Sequence, residues 1–315
     1  MTQVQPRIGV SSLVADAAGW PEWCRQLEAA GVDEISVADH LMPGVLPPMP
    51  ALSAAAAVTE RVALSTMVVN NELRHPAVLA NEVVAVSELS GGRFTLGIGA
   101  GHMESEHDAI GQPLPPAAER VARLEEAVAA LRALFAGETV TTAGPHLRLT
   151  DQFASPVPSH PIPLLVGGGA KAVLGVAARH ADIVGLTGFS HVDGASKLTH
   201  YTAEALAERI AFVRDLPRDR TEALRFQALV QLLRVTDDRR ATAEQLLAEW
   251  GDDMPLSVDE MLATPFFLLG TAEEIAGQLH ERSERFGIDT WTVFAGRPMD
   301  SGLEDLTLVL DAVHS

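Results

Sequence analysis

The feature that most limits the fold is an alternation of short apolar runs with amphipathic stretches, sustained along the chain. The runs are Ile8–Val10, Glu34–Ala38, Val62–Val69, Phe94–Ile98, Leu164–Val166, Ile183–Leu186, Phe226–Val235 and Thr290–Phe294. Most lack strict polar alternation, as parallel strands covered on both faces do. Between them, Trp20, Trp23, Cys24 and Leu27 fall at helical spacing within Trp20–Ala30, and Gly31 follows as a stop. Pro76 suits the first turn of a helix to Leu89. Glu119–Phe135 carries Val121, Leu124, Val128, Leu131 and Phe135 on one stripe. Thr271-Ala272-Glu273-Glu274 reads as a capping box for a helix to Phe286, and Leu303–Val313 is the last helical pattern.

Strand–helix units in this number predict an α/β fold, a single (β/α)8 TIM barrel over residues 1–315. The Rossmann alternative lacks a G-x-G-x-x-G after the first strand. Three segments exceed a plain barrel. His102–Ala118 follows strand four, Thr139–Leu149 reads as a hairpin before strand five, and Asp252–Pro265 precedes strand eight and its helix. No linker or repeat divides the chain.

Composition narrows the setting. Hydrophobic residues make up 47% and aromatic residues 5%, so Ala, Val, Leu and Ile must fill the core. With 23 basic and 42 acidic residues the formal charge is −19, which disfavours nucleic acid and anionic membranes as partners. No apolar run reaches the roughly 18 residues of a membrane-spanning helix. Met1–Arg7 lacks the apolar segment of a signal peptide. Cys24 is the lone cysteine and reads as a core residue rather than a nucleophile. A cytoplasmic protein is expected. Only two basic residues are lysines, Lys171 and Lys197.

An active site on such a barrel lies at the C-terminal ends of the strands. Gly167-Gly168-Gly169 follows strand five, with Lys171 in the next helical turn. Glycines let backbone N–H groups approach an anion at a helix N-terminus, so a phosphate fits there; a tight turn without ligand is the alternative. Asp39 and His40 follow strand two. An imidazole there can exchange a proton near neutral pH, or the pair can be a helix cap and a polar loop residue. Gly99 and Gly101, after strand four, admit a flat ring or simply make a turn. His102, Glu104, Glu106 and His107 match no zinc spacing, so no metal is predicted; the acidic stretch reads as a solvated lid. No G-x-S-x-G elbow or Walker A loop is present.

The run Glu88-Leu89-Ser90-Gly91-Gly92-Arg93-Phe94-Thr95-Leu96-Gly97-Ile98-Gly99-Ala100-Gly101 resembles the helix-three to strand-four segment of luciferase-like flavin and deazaflavin oxidoreductases. Ala38-Asp39-His40 at the end of strand two is similar to the same superfamily, as is Arg74-His75-Pro76 at helix three. Leu164–Gly169 leading to Ala177–Gly185, and Leu262–Gly270, resemble the branch that uses coenzyme F420.

The resemblance implies a barrel oxidoreductase that moves a hydride between the deazaflavin and a C=C, C=N or C=O bond of a small organic substrate. It implies a bulge with a non-prolyl cis peptide at Met67-Val68 that props the tricyclic ring. Asp39 would position the cofactor. Gly99, Ala100 and Gly101 would lie near the ring, and Gly167, Gly168, Gly169 and Lys171 would hold its phosphate. His40, with His102 as second candidate, would serve the proton. In the branch's sugar-phosphate dehydrogenases an acid stands where this chain has His102, which puts that substrate class in doubt. A luciferase-like monooxygenase using FMN is the alternative, and a non-catalytic flavin-binding barrel is a second. A homodimer is what the superfamily commonly forms.

Overall fold

A computed structural model describes residues 5–192, 195–218, 222–251, 254–295 and 302–315. Met1–Val4 of the N-terminal segment and residues 252–253 of the third predicted insertion lie outside these. So do residues 193–194.

The parallel barrel strands are β1 (Arg7–Ser12), β2 (Glu34–Val37), β3 (Ala63–Thr66), β4 (Phe94–Gly99), β5 (Leu164–Gly167), β6 (Ile183–Leu186), β7 (Arg225–Val230) and β8 (Thr290–Phe294). Each pairs with its sequence neighbours, and β8 returns to β1 with Gly9 opposite Thr292. The predicted closed barrel is therefore the fold. The helices cover its outer face. Trp291 on β8 points outward and donates from its indole to Ser283 Oγ, 2.8 Å away, in the helix Ala272–Phe286. The capping box read at Thr271 and Glu274 is formed. Cys24 is fully buried, and burial pushes its thiol up to about 12.

Two predicted strands are broken, each for a physical reason. Val62–Val69 divides into Ala63–Thr66 and Val69–Asn70. Ser65 lies opposite Thr95 and Val69 opposite Ile98, so this side of the joint carries one extra residue. That is a bulge, and the Met67–Val68 peptide within it is cis. The Thr66 hydroxyl spans the gap. It accepts from Gly97 N–H at 2.9 Å and donates to Gly97 C=O at 2.6 Å. Phe226–Val235 divides after Val230, and Leu232–Val235 leaves the barrel to pair with Phe267–Gly270. A second apolar cluster, including Leu232, Leu246, Met261 and Phe267, packs there.

The insertions also hold more structure than the sequence suggests. The hairpin before β5 is present as Val140–Ala143 and Arg148–Gln152. His102–Ala118 contains the helix Glu104–Ala109, and Asp252–Pro265 contains the helix Val258–Ala263. The stretch expected to be a solvated lid is exposed over most of its length, but it buries Glu106 and His107.

The barrel interior near its N-terminal end is polar. Gln227 Nε2 donates at 2.7 Å to both Glu34 Oε1 and Thr292 Oγ1. Gly9 leaves room for this layer, since a Cβ there would meet Thr292 Oγ1 at 2.8 Å. Burial raises the Glu34 carboxyl above its ordinary range, against the opposing pull of Gln227, Ser65, Arg7 and Arg225.

Two measurements follow from these contacts. Thr66→Val leaves two buried backbone groups unpaired and is expected to cost about 1–3 kcal/mol for each, read by urea unfolding, whereas Thr66→Ser retains most stability. The folded chain holds the Glu34 proton more tightly than the unfolded chain does. Its stabilising effect is complete below about pH 4.3, the free glutamate value, and is lost as pH rises through the raised folded value. Thermal melts over a pH series are expected to show Glu34→Gln losing less stability than the wild type across that rise.

Candidate active site

The bulge in strand three shapes the barrel mouth. It carries Val68 inward, over the ends of β4 and β5. A Cβ on Gly99 would lie 2.9 Å from Val68 Cγ2, and one on Gly167 would lie 3.0 Å from Val68 Cγ1. Gly97 is constrained differently, because a Cβ there would meet the Thr66 carbonyl oxygen at 1.9 Å. The result is a small apolar platform at the mouth, with Met67, Val68, Ala100, Gly101, Gly167 and Gly168 only half-buried.

Asp39 is buried at the end of β2, and its carboxylate is taken up by protein donors. Arg74 grips it with both terminal nitrogens, Nη1 on Oδ2 and Nη2 on Oδ1, the latter at 2.9 Å. Asn70 N–H donates to Oδ2 at 2.9 Å. A bidentate arginine pair of this kind fixes geometry as well as charge. Asp39 thus joins the end of strand two to the segment after the bulge.

Asn70 extends that network. Its Oδ1 accepts from Glu72 N–H at 3.0 Å, which orients the amide. Its Nδ2 then donates to His107 Nε2 at 3.3 Å, which places the His107 proton on Nδ1. Gly101 has φ +74°, and a Cβ there would fall 2.2 Å from Asn70 Oδ1. Glycine is needed at that position for both reasons.

His40 is the imidazole best placed for proton transfer. Its Nδ1 lies 2.8 Å from Glu106 Oε1, and Leu41 N–H donates to the same oxygen at 3.1 Å. With an ionised Glu106 as acceptor, His40 carries its proton on Nδ1 and keeps Nε2 for exchange. The His40 side chain is 22% exposed, whereas Glu106 is 5% exposed. The exposed His102 meets the His40 ring edge to face, with centroids 5.8 Å apart. The structure therefore brings the two histidines together.

At the end of β5, Gly168 N–H is used by Gly185 C=O at 3.0 Å. The helix Lys171–His180 starts after Ala170, and its first turn has no side-chain cap and no acid. An uncapped N-terminus of this kind suits an anion. Lys171, in that first turn, reaches the neighbouring helix. Its Nζ lies 3.5 Å from Glu208 and 5.4 Å from the Phe212 ring centroid, both on the helix Ala203–Asp215. The cation nearer the turn is Arg209, whose Nε donates to Gly169 C=O at 2.9 Å. Burial lowers the pKa of Arg209, and burial followed by the charge of the same guanidinium lowers that of His200.

Sequence reasoning did not single out Arg209 or Glu106 for these positions. Arg209 could have been noticed as a lone charge in the buried stripe Leu206, Ile210 and Val213. Glu106 carries no such sign, because its partner His40 is 66 residues away. Among the described residues, no group of three or more His, Cys, Asp or Glu side chains is placed to hold a metal ion. No helix of the described residues is long and apolar enough to cross a membrane.

Comparison with known proteins agrees with this architecture. The F420-dependent glucose-6-phosphate dehydrogenase of Beutenbergia cavernae is 37% identical over 234 residues, covering 71% of this chain and 66% of that protein. The chain spans about half to two thirds of the length of the curated relatives it matches. An F420-dependent secondary alcohol dehydrogenase, solved with an F420–acetone adduct, is similar with a TM-score of 0.76 at 18% identity, covering 98% of each chain. A long-chain alkane monooxygenase has a TM-score of 0.74 at 16% identity, over 100% of this chain and 92% of that one. At such identities these two structures establish the fold. A family model described as luciferase-like monooxygenase matches residues 1–290, and the chain belongs to that family.

Proposed function

We propose that this protein is an F420-dependent oxidoreductase acting on a small organic substrate. The observation that carries the reading is the mouth itself, where an apolar platform, a carboxylate-held imidazole and an uncapped helix N-terminus share one end of the barrel. The F420-dependent relative in Beutenbergia cavernae supports the choice of cofactor.

The residues fit a flat ring with an anionic tail. Val68 and the glycine backbone of Gly99, Ala100 and Gly101 would receive the ring, with Met67 beside it. The turn Gly167–Gly169 and the first turn after it would receive the phosphate, with Arg209 and Lys171 supplying positive charge nearby. Asp39 acts through Arg74 and Asn70 to hold the segment on which the platform stands. When bound, reduced deazaflavin supplies a hydride to an electron-poor C=C, C=N or C=O bond, and the oxidised form accepts one in the reverse direction.

His40 Nε2 delivers or removes the accompanying proton, and Glu106 keeps the ring in the required tautomer. His102 provides a second imidazole at the mouth. The segment containing the helix Glu104–Ala109 limits access of water to this dyad, because it supplies the buried Glu106. The sugar-phosphate substrate of the Beutenbergia cavernae relative is not carried over. A cytoplasmic location and a homodimer belong to the same proposal. The exposed side chains Val78, Leu89, Phe153 and Val157, on and beside the helix Pro76–Leu89, would suit a subunit contact.

Fluorescence titration of the purified protein with coenzyme F420 and separately with FMN tests the cofactor. The deazaflavin is expected to bind at least about tenfold more tightly, roughly 1.4 kcal/mol. A preference for FMN would transfer the reading to an oxygen-dependent monooxygenase, and binding of neither would favour a non-catalytic barrel. Glu106→Gln tests the dyad. With an accepted substrate, kcat is expected to fall by about 10- to 100-fold while F420 affinity and KM stay near wild type. An unchanged kcat would remove Glu106 from the proton path.

A further inference from the structure

Outside the mouth, on the outer wall of the barrel, lies a cavity of about 240 Å³ whose lining includes Arg239, Arg282 and Arg285. Arginine is the side chain most suited to paired hydrogen bonds with oxyanions. Glu281 is the one carboxylate of the same lining, so its formal charge is positive in a chain whose formal charge is −19.

Arg282 is 8% exposed. Its Nη1 donates to the carbonyls of Pro265 and Phe267, each at 3.2 Å, and its Nη2 to Gln278 Oε1 at 2.9 Å. All three acceptors are neutral. Burial, with the charge of Arg239 adding to it and Glu281 opposing it, pushes this guanidinium down to about 10. Arg239 is the first residue of the helix Arg239–Trp250, whose N-terminus is capped by the Asp238 carboxylate, which accepts from Arg240 and Ala241 N–H at 3.1 and 3.0 Å. Arg239 Nη2 donates to Leu262 C=O at 3.3 Å. Arg285 has a carboxylate 4.0 Å away, Glu281, but both side chains are more than half exposed and the pair is screened. Among the described residues, neither Arg239 nor Arg282 has a carboxylate partner within ion-pair distance.

Carbonyl acceptors satisfy the donors of these groups without cancelling their charge. With Glu281 as the one carboxylate of the lining, the three guanidinium groups leave net positive charge for a ligand to neutralise.

We propose that this cavity binds a phosphate group, either free or carried on a small phosphomonoester. A doubly charged tetrahedral oxyanion matches several guanidinium forks better than a single carboxylate does. The cavity is smaller than the roughly 300–1,000 Å³ typical of sites for drug-sized ligands, so it suits the phosphate and a short organic stub rather than a whole cofactor. It is distinct from the Gly167–Gly169 turn, with which it shares no residue.

Calorimetry and thermal melts with inorganic phosphate, and separately with phenyl phosphate, test the site against sodium chloride of equal ionic strength. Phosphate is expected to raise Tm by about 2–4 °C at concentrations well above Kd. Arg239→Gln removes a cation from a helix N-terminus, so it is expected to fold, yet to weaken phosphate binding by about tenfold or more. Arg285→Gln is expected to weaken it as well. F420 affinity should stay unchanged in both variants, which separates this site from the cofactor reading. A response to both probes assigns the site to phosphomonoesters, and a response to phosphate alone assigns it to the free ion. No response to either probe in the wild type, or an equal response in Arg239→Gln, would overturn the proposal.

Discussion

Strands three and four meet with unequal numbers of residues, and a closed barrel must absorb the difference somewhere. Here it is absorbed between Ser65 and Val69, where Thr66 replaces a regular ladder step with one hydroxyl that donates to Gly97 C=O and accepts from Gly97 N–H. The mouth depends on that substitution. The extra residue turns Val68 onto the glycines of the neighbouring strands and brings the Asn70 amide to Asp39. The same displacement sets Asn70 beneath Gly101 and against His107. Barrel closure and site geometry are one solution to one register problem.

The polar groups at the mouth form two linked systems. Asp39, Arg74, Asn70 and His107 make a hydrogen-bonded frame. His40 and Glu106 make the second, with the proposed proton site at the His40 ring nitrogen Nε2. The segment carrying Glu106 also carries His107, so one short helix serves both systems. A held frame beside an imidazole is the arrangement that the proposed hydride transfer with its accompanying proton calls for.

Much of the architecture was legible because it rests on local pattern. The eight buried strands announced themselves as apolar runs, and the capping box at Thr271 marked a helix start from four letters. The breaks in Val62–Val69 and Phe226–Val235 were not legible, since both halves of each run are equally apolar and the reason for breaking lies in a partner strand. In the site, His40 and the glycine turns could be placed by their position after strands. The Met67–Val68 bulge came from family resemblance alone, and the cis peptide stands at that bond. The pairing of His40 with Glu106 came from neither route. It joins residues from two loops, and only the folded path of the helix Glu104–Ala109 brings them together. Lys171 drew notice through rarity, yet its direction is set by Glu208 and Phe212 on the next helix.

The contact between Val68 and its glycines has a consequence for how this chain can vary. Gly99 and Gly167 owe much of their restriction to the two methyl groups of one side chain, whereas Gly97 is held by a backbone oxygen. Tolerance at the first two positions is therefore conditional on position 68. An alanine that is rejected beside valine gains room beside a shorter neighbour, while alanine at position 97 gains nothing. The mouth can be widened or reshaped only through coordinated replacements. The order in which substitutions arrive then decides which variants of this barrel are reachable by single steps.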